Sequence, residues 1–204
     1  MASQSSEALG RLVESIFHGK PGSAEIALSC LEQGFGVDEI LTRGVVGAWI
    51  EFAAWYDRDP DGVLKVWMES YNETNRVLRA LESVIRAPEN PPFSAAVFTV
   101  RGEGHVPMRD VLSLLLRSRG VRVYSSRKGV VPEDLAEPIS DPSLKWLVVS
   151  CTEAELNGQV IALIRWAKQK RPDLRVVAGG PQAGKVGADI VANDPSDLLR
   201  ALGV

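Results

Sequence analysis

Only two cysteines and two histidines occur in 204 residues. Cys30 and Cys151 stand in separate halves of the chain, with no Cys-x-x-Cys spacing and no His-rich company. That excludes a disulfide framework and a structural zinc site as organising principles. No apolar run approaches the ~20 residues of a membrane helix. The first residues, Met1 to Glu7, hold no basic region followed by an apolar block, so no secretory leader is expected there and a cytoplasmic location is the default. The net charge of -3 is too small to select nucleic acid or another polyanion through bulk electrostatics. The local basic stretch Arg117, Arg119, Arg122, Arg127 and Lys128 reads as solvated surface.

The apolar fraction of 45% is ordinary for a globular chain and allows a real core. The chain changes character near Ala87-Pro88-Glu89-Asn90-Pro91-Pro92, where three prolines interrupt any helix. Before that linker the period is helical. Leu9, Leu12, Val13, Ile16 and Phe17 recur on one helix face. Gly19 and Pro21-Gly22 stop that helix, Ser23 can cap the next, and Gly34 ends it. A third helix is predicted from about Val37 to Trp55, then a turn at Asp57–Gly62, then a long helix through Leu64, Trp67, Leu78 and Ile85. Four helices with short connections read as a bundle over residues 7–86.

After the linker, short β-branched runs alternate with amphipathic helices. Strands are predicted at Ala95–Val100, Arg122–Ser125, Leu144–Cys151, Leu174–Ala178 and Asp189–Ala192. Helices are predicted at Met108–Arg119, Pro132–Pro138, Glu153–Lys170 and Pro195–Leu202. The alternation predicts an α/β fold with a doubly wound parallel sheet, flavodoxin-like, over residues 94–204. Ligands of such sheets bind at the carboxyl ends of the strands. His105, Ser150 and Gly179 all fall at or just beyond those ends.

Three short elements stand in order along this part: Glu103-Gly104-His105-Val106-Pro107-Met108, then Ser150-Cys151-Thr152, then Gly179-Gly180. They resemble the cobalamin-binding module of methionine synthase and related corrinoid proteins, whose signature is Asp-x-His-x-x-Gly, then Ser-x-Leu, then Gly-Gly. The His, the Ser and the Gly pair match. Glu103 replaces the acid, Met108 replaces the closing Gly, and Thr152 replaces the Leu. The resemblance implies that His105 is the lower axial ligand of cobalt and that Glu103, bonded to the other ring nitrogen, fixes its tautomer. It implies that Ser150, Gly179 and Gly180 leave room for the cofactor's nucleotide tail. A surface histidine beside ordinary glycine turns is the plain alternative.

The helical half resembles the cap that precedes this module in corrinoid methyl carriers and in light-sensing adenosylcobalamin-dependent regulators. The regulators place a Trp and a Glu-His pair over the upper face of the cofactor. Here Trp55 is followed by Trp67, Glu69 and Ser70, with Ser70 where the second His belongs. Core packing is the plain alternative for Trp49, Trp55, Trp67 and Met68. His18 is the other histidine available as an upper ligand. The resemblance implies a cofactor, adenosylcobalamin or methylcobalamin, held between cap and α/β domain. It implies a non-catalytic sensor or regulator acting through a protein partner, with no catalytic residues of its own. The alternative is a methyl carrier of a methyltransferase system. Neither reading involves direct nucleic-acid or membrane binding, and both leave a homo-oligomer open.

One competing motif is Gly179-Gly180-Pro181-Gln182-Ala183-Gly184-Lys185-Val186, which has phosphate-loop spacing. It fails at Val186, where a Ser or Thr would hold magnesium.

Overall fold

The computed structural model describes residues 2–104 and 106–204, without the side chains of residues 2–6 and 106. Two compact units meet in sequence at Arg86 and Ala87.

The first unit is helical. Its helices are α1 (Ala2–Phe17), α2 (Ser23–Glu32), the short α3 (Val37–Glu39), α4 (Val46–Tyr56) and α5 (Pro60–Val84). The predicted third helix is therefore composite, because a π-helical segment, Ile40–Val45, joins α3 to α4. Gly44 sits in this wider turn, where a Cβ would come within 2.6 Å of Leu12 on α1. Leu9, Leu12 and Ile16 form the buried stripe of α1. The stripe of α5 is Val63, Ser70, Thr74, Val77 and Leu81, at spacings of seven, four, three and four.

Two local signals act differently from the sequence expectation. Pro60-Asp61-Gly62 lies inside the first turn of α5, and Asp59 caps it by accepting from the Gly62 N–H at 3.0 Å. Ser23 does not cap α2. Its backbone N–H donates to Glu73 Oε2 of α5 at 3.2 Å, and its hydroxyl pairs with Ser15 at 2.8 Å. The buried Glu73 thus serves a helix start 50 residues away and also pairs with Arg76.

The second unit is a five-stranded sheet of parallel strands in the order β2-β1-β3-β4-β5. Its strands are β1 (Ser94–Phe98), β2 (Arg122–Ser125), β3 (Leu144–Ser150), β4 (Arg175–Gly179) and β5 (Ile190–Ala192). Between them run α6 (Val106–Ser118), α7 (Ala136–Ser140) and α8 (Asn157–Lys170), with α9 (Pro195–Leu202) at the end. Short 3-10 turns precede α7 and α8.

Strand alternation sends side chains to two cores. Ala96, Phe98, Leu147, Val149, Val176 and Ala178 pack with Leu163, Ile164 and Ala167 of α8. Ala95, Val97, Val148, Val177 and Ala192 pack with Leu112 and Leu116 of α6 and Leu198 and Leu202 of α9. Both faces are covered, which is why the strands read as continuous apolar runs. The chain leaves β1 to one side for β2 and returns to the other for β3. The switch point, where such sheets open a crevice, lies between the carboxyl ends of β1 and β3.

Candidate functional site

The loops leaving β1, β3 and β4 build the crevice. Just beyond β1, Gly102 takes φ +95°, which turns the chain back so that the Glu103 N–H bonds the Val100 carbonyl at 3.2 Å. Glu103 is thereby buried, and its Oε2 accepts from the Thr152 N–H at 3.0 Å. In return Glu153 Oε1 accepts from the Gly104 N–H at 3.3 Å. Each loop lends the other a carboxylate for a backbone donor. His105, the residue on which the sequence reading turns, lies outside the described residues.

Cys151 follows β3 and is buried. Burial, with the Glu103 carboxylate adding to it, pushes its thiol up to about 12. It stays a neutral thiol, unsuited to nucleophilic work or metal ligation at neutral pH. Its N–H bonds the Gly179 carbonyl at 2.8 Å, and its carbonyl accepts from the Gln182 N–H at 3.2 Å.

The two glycines of β4's end have different reasons. Gly180 has φ +96°, and a Cβ there would lie 2.4 Å from the Cys151 carbonyl oxygen, so the loop contact itself demands glycine. Gly179 has no such constraint. A Cβ there would meet nothing nearer than the Ala192 carbonyl oxygen at 3.5 Å, an ordinary contact. Its missing side chain leaves space.

That space continues across the sheet. The register pairs Phe98 with Val149, Ser150 with Gly179, and Gly179 with Ala192. Thr99, one step beyond Phe98, therefore stands beside Ser150. Thr99, Ser150 and Gly179 alternate with Phe98, Val149 and Ala178 and so share the α6–α9 face with Val97, Val148 and Val177. A row of small residues floors the carboxyl end of this face. Met108, in the first turn of α6, packs against the apolar cluster of the same face. Thr99 is buried and its Oγ1 has no hydrogen-bond partner among the described residues.

Sequence reasoning missed Arg109. Its side chain is fully buried on α6. Its Nε donates to Asp110 Oδ1 at 2.8 Å, and Nη2 comes within 2.6 Å of the same oxygen. Neither Nη1 nor Nη2 has a hydrogen-bond acceptor among the described residues. An arginine three and seven residues before Leu112 and Leu116, on the apolar side of the helix, was the available signal.

Elsewhere on this unit, a cavity of about 520 Å³ opens beside β2. Its walls mix Arg101, Arg117 and Lys128 with Asp134 and Glu137, so it selects no ligand charge. The phosphate-loop spacing at Gly179–Lys185 leads into a single 3-10 turn, Ala183–Lys185, and Lys185 Nζ bonds Gln182 at 3.1 Å. No helix starts there to cradle a phosphate.

The other sequence-predicted residues belong to the helical unit. Trp55 and Trp67 are half-buried members of an aromatic cluster. Phe17 and Trp55 rings are 5.3 Å apart, Phe52 and Trp67 5.4 Å, and Trp49 and Trp67 5.2 Å. Trp49 Nε1 donates to Thr74 Oγ1 at 3.1 Å. Leu64 and Met68, one turn apart on α5, are exposed at 61% and 59%, large for apolar side chains. His18 packs its ring edge-on to Phe17. Glu69 is exposed, and its Cβ meets the end of α1, where a Cβ on Gly19 would be 2.3 Å away. Ser70 is buried at 1% exposure and donates to the Phe17 carbonyl at 3.1 Å. Its hydroxyl therefore holds α5 to the end of α1.

Among the described residues no helix is long and apolar enough to cross a membrane. No protein-family model matches the sequence, and no curated protein matches it. Solved structures do resemble it. One is the monomethylamine corrinoid protein of Methanosarcina barkeri, with TM-score 0.78, 18% identity and 97% of each chain covered. Another is a chain of the methanol:cobalamin methyltransferase complex of Methanosarcina barkeri, with TM-score 0.51, 14% identity, and 97% of this chain and 78% of that one covered. The helical unit followed by a parallel α/β unit is thus the fold of solved corrinoid proteins.

Proposed function

We propose that this chain is a corrinoid-binding carrier protein that takes the cofactor at the carboxyl ends of β1, β3 and β4 and works with a protein partner. The single observation that carries the reading is the row Thr99, Ser150 and Gly179. It is a floor of small residues beside the switch point, buried at Thr99 and Ser150 and half-buried at Gly179, with an orphaned hydroxyl and a glycine that packing does not require. A slot of that kind suits a deep, partly polar ligand tail. It stands in a fold shared over 97% of both chains with a monomethylamine corrinoid protein.

In this reading His105 would hold the cobalt through its imidazole. Glu103, held by Thr152, would orient that imidazole from the ring's other nitrogen and so favour the tautomer that can ligate. Ser150 and Gly179 admit the nucleotide tail, while Gly180 shapes the loop around it. In the helical unit, half-buried Trp55 and Trp67 and exposed Leu64 and Met68 are side chains suited by type to a flat apolar ring. When bound, the corrinoid supplies a cobalt centre able to accept and donate a methyl group. The chain's residues bind, orient and shield it, and the methyl donor and acceptor enzymes are the partners.

A light-responsive sensor is the second reading. Glu103 in place of Asp, with Trp55 and Glu69 in the helical unit, favours it. Ser70 brings it no upper ligand, since its hydroxyl is engaged with Phe17. Anaerobic loading followed by methyl exchange with a partner methyltransferase, in darkness and in light, separates the two. Exchange indifferent to light supports the carrier. Tight adenosylcobalamin binding with a light-dependent change in oligomer size overturns it in favour of the sensor.

A further inference from the structure

We propose that Arg109 anchors the phosphodiester of the corrinoid's nucleotide tail, an inference that rests on the corrinoid reading above. The guanidinium cannot shed its proton to become neutral. It is fully buried, and among the described residues the Asp110 carboxylate is the acid it pairs with, one oxygen lying against both Nε and Nη2. Nη1 is left without any acceptor among the described residues, and Nη2, although 2.6 Å from the Asp110 carboxylate, makes no hydrogen bond to it. Buried donors in that state are rare and costly in proteins, which makes them a mark of a missing ligand. The ligand must be an anion with more than one acceptor oxygen, because a guanidinium edge presents parallel N–H groups.

Position narrows the choice. Arg109 precedes Leu112 and Leu116 by three and seven residues on α6, and both pack on the α6–α9 face of the sheet, so the helical period carries its buried side chain towards that face. Thr99, Ser150 and Gly179 stand on that same face at the carboxyl end. Cobalamin carries one anionic group in its tail, the phosphodiester that links the corrin side chain to the ribose. Thr99 Oγ1, the other orphaned group of this face, can bond a second tail oxygen.

The test compares cobalamin with cobinamide, a corrin that lacks both phosphate and nucleotide. Spectroscopic titrations of the full chain and of Arg109→Met would measure both affinities, and thermal melting of the ligand-free proteins would measure folding. Hydrogen bonds to a charged group correspond to a loss of roughly 10- to 100-fold in cobalamin affinity for Arg109→Met. Cobinamide affinity should stay within about twofold, because His105 and the crevice are untouched. The ligand-free variant should melt at the same or a higher temperature, since a buried cation with unmet donors has been removed. Equal weakening towards both corrinoids, or no weakening towards cobalamin, overturns the proposal. So does a clearly lower melting temperature of the ligand-free variant, which would make Arg109 a structural partner of Asp110. If the wild type bound neither corrinoid, the corrinoid reading itself would fail and the anchor with it.

Discussion

Glu103 and Thr152 lie 49 residues apart in sequence and are joined by one hydrogen bond, from the Thr152 N–H to Glu103 Oε2, at 3.0 Å. With the return bond from the Gly104 N–H to Glu153, it ties the loop of β1 to the loop of β3 across the switch point. The acid that the sequence reading assigned to the histidine is therefore also a structural clasp.

Removing that clasp should cost stability before any cofactor is considered. Glu103→Ala leaves a backbone donor unmet, at about 1–3 kcal/mol. Glu103→Gln retains an acceptor oxygen and should lose less. Urea unfolding of the ligand-free proteins measures both, and equal losses in the two variants would contradict the clasp.

The glycine pair should separate by substitution. Gly180→Ala forces φ +96° on an alanine and drives its Cβ against the Cys151 carbonyl oxygen. Strain of that sort costs roughly 1–3 kcal/mol. Gly179→Ala should fold almost as well as the wild type and bind corrinoid more weakly. Thermal melting and corrinoid titration of the two variants would show the opposite ranking if Gly179 served only the fold.

Asp141 makes a pH prediction. Burial pushes its carboxyl up, but the Ser143 N–H and the hydroxyls of Ser94, Ser143 and Tyr124 outweigh it and hold the group down to about 2. An unfolded aspartate titrates near about 3.9. The stabilisation is therefore complete above that value and is lost as pH falls through about 2. Asp141→Asn should be less stable at neutral pH, and its stability should change less than that of the wild type across this acid window. Chemical unfolding at stepped pH reads the slope, and parallel curves would contradict the assignment.

Ser70 should behave as a packing residue. Ser70→Ala removes its bond to the Phe17 carbonyl and should cost about 1 kcal/mol. The spectrum of a loaded protein should stay as in the wild type. A spectral shift in Ser70→Ala would place this position against the cofactor instead.

Much of the architecture was legible in the sequence, because hydrophobic period and proline punctuation act locally. The strand Arg122–Ser125 was placed residue for residue, and the other strands within a residue or two. The π-helical segment at Ile40–Val45 was not legible, since the close approach of Leu12 to Gly44 within it is made only in the folded chain. Pro60 and Gly62 are turn formers, so the first turn of α5 has the sequence of a loop. The Asp59 cap makes them a helix start instead. Motif order singles out His105, Glu103, Ser150 and the glycine pair; the fold brings Glu103, Ser150 and the glycines to one end of the sheet, and His105 lies outside the described residues. Arg109, Thr99 and the Glu153 clasp were not legible, because their meaning lies in burial and in hydrogen bonds between loops that only the folded chain brings together.

The most direct test of the corrinoid reading is the electron paramagnetic resonance spectrum of the protein loaded with cobalt(II) cobinamide, which has no nitrogen base of its own to offer below the ring. An axial imidazole should split each cobalt line into a triplet. Protein labelled with heavy-nitrogen histidine should turn each triplet into a doublet, and His105→Ala should remove the splitting. Splitting that survives in His105→Ala, or lines that show none in the wild type, would contradict His105 as the lower ligand and with it the central claim.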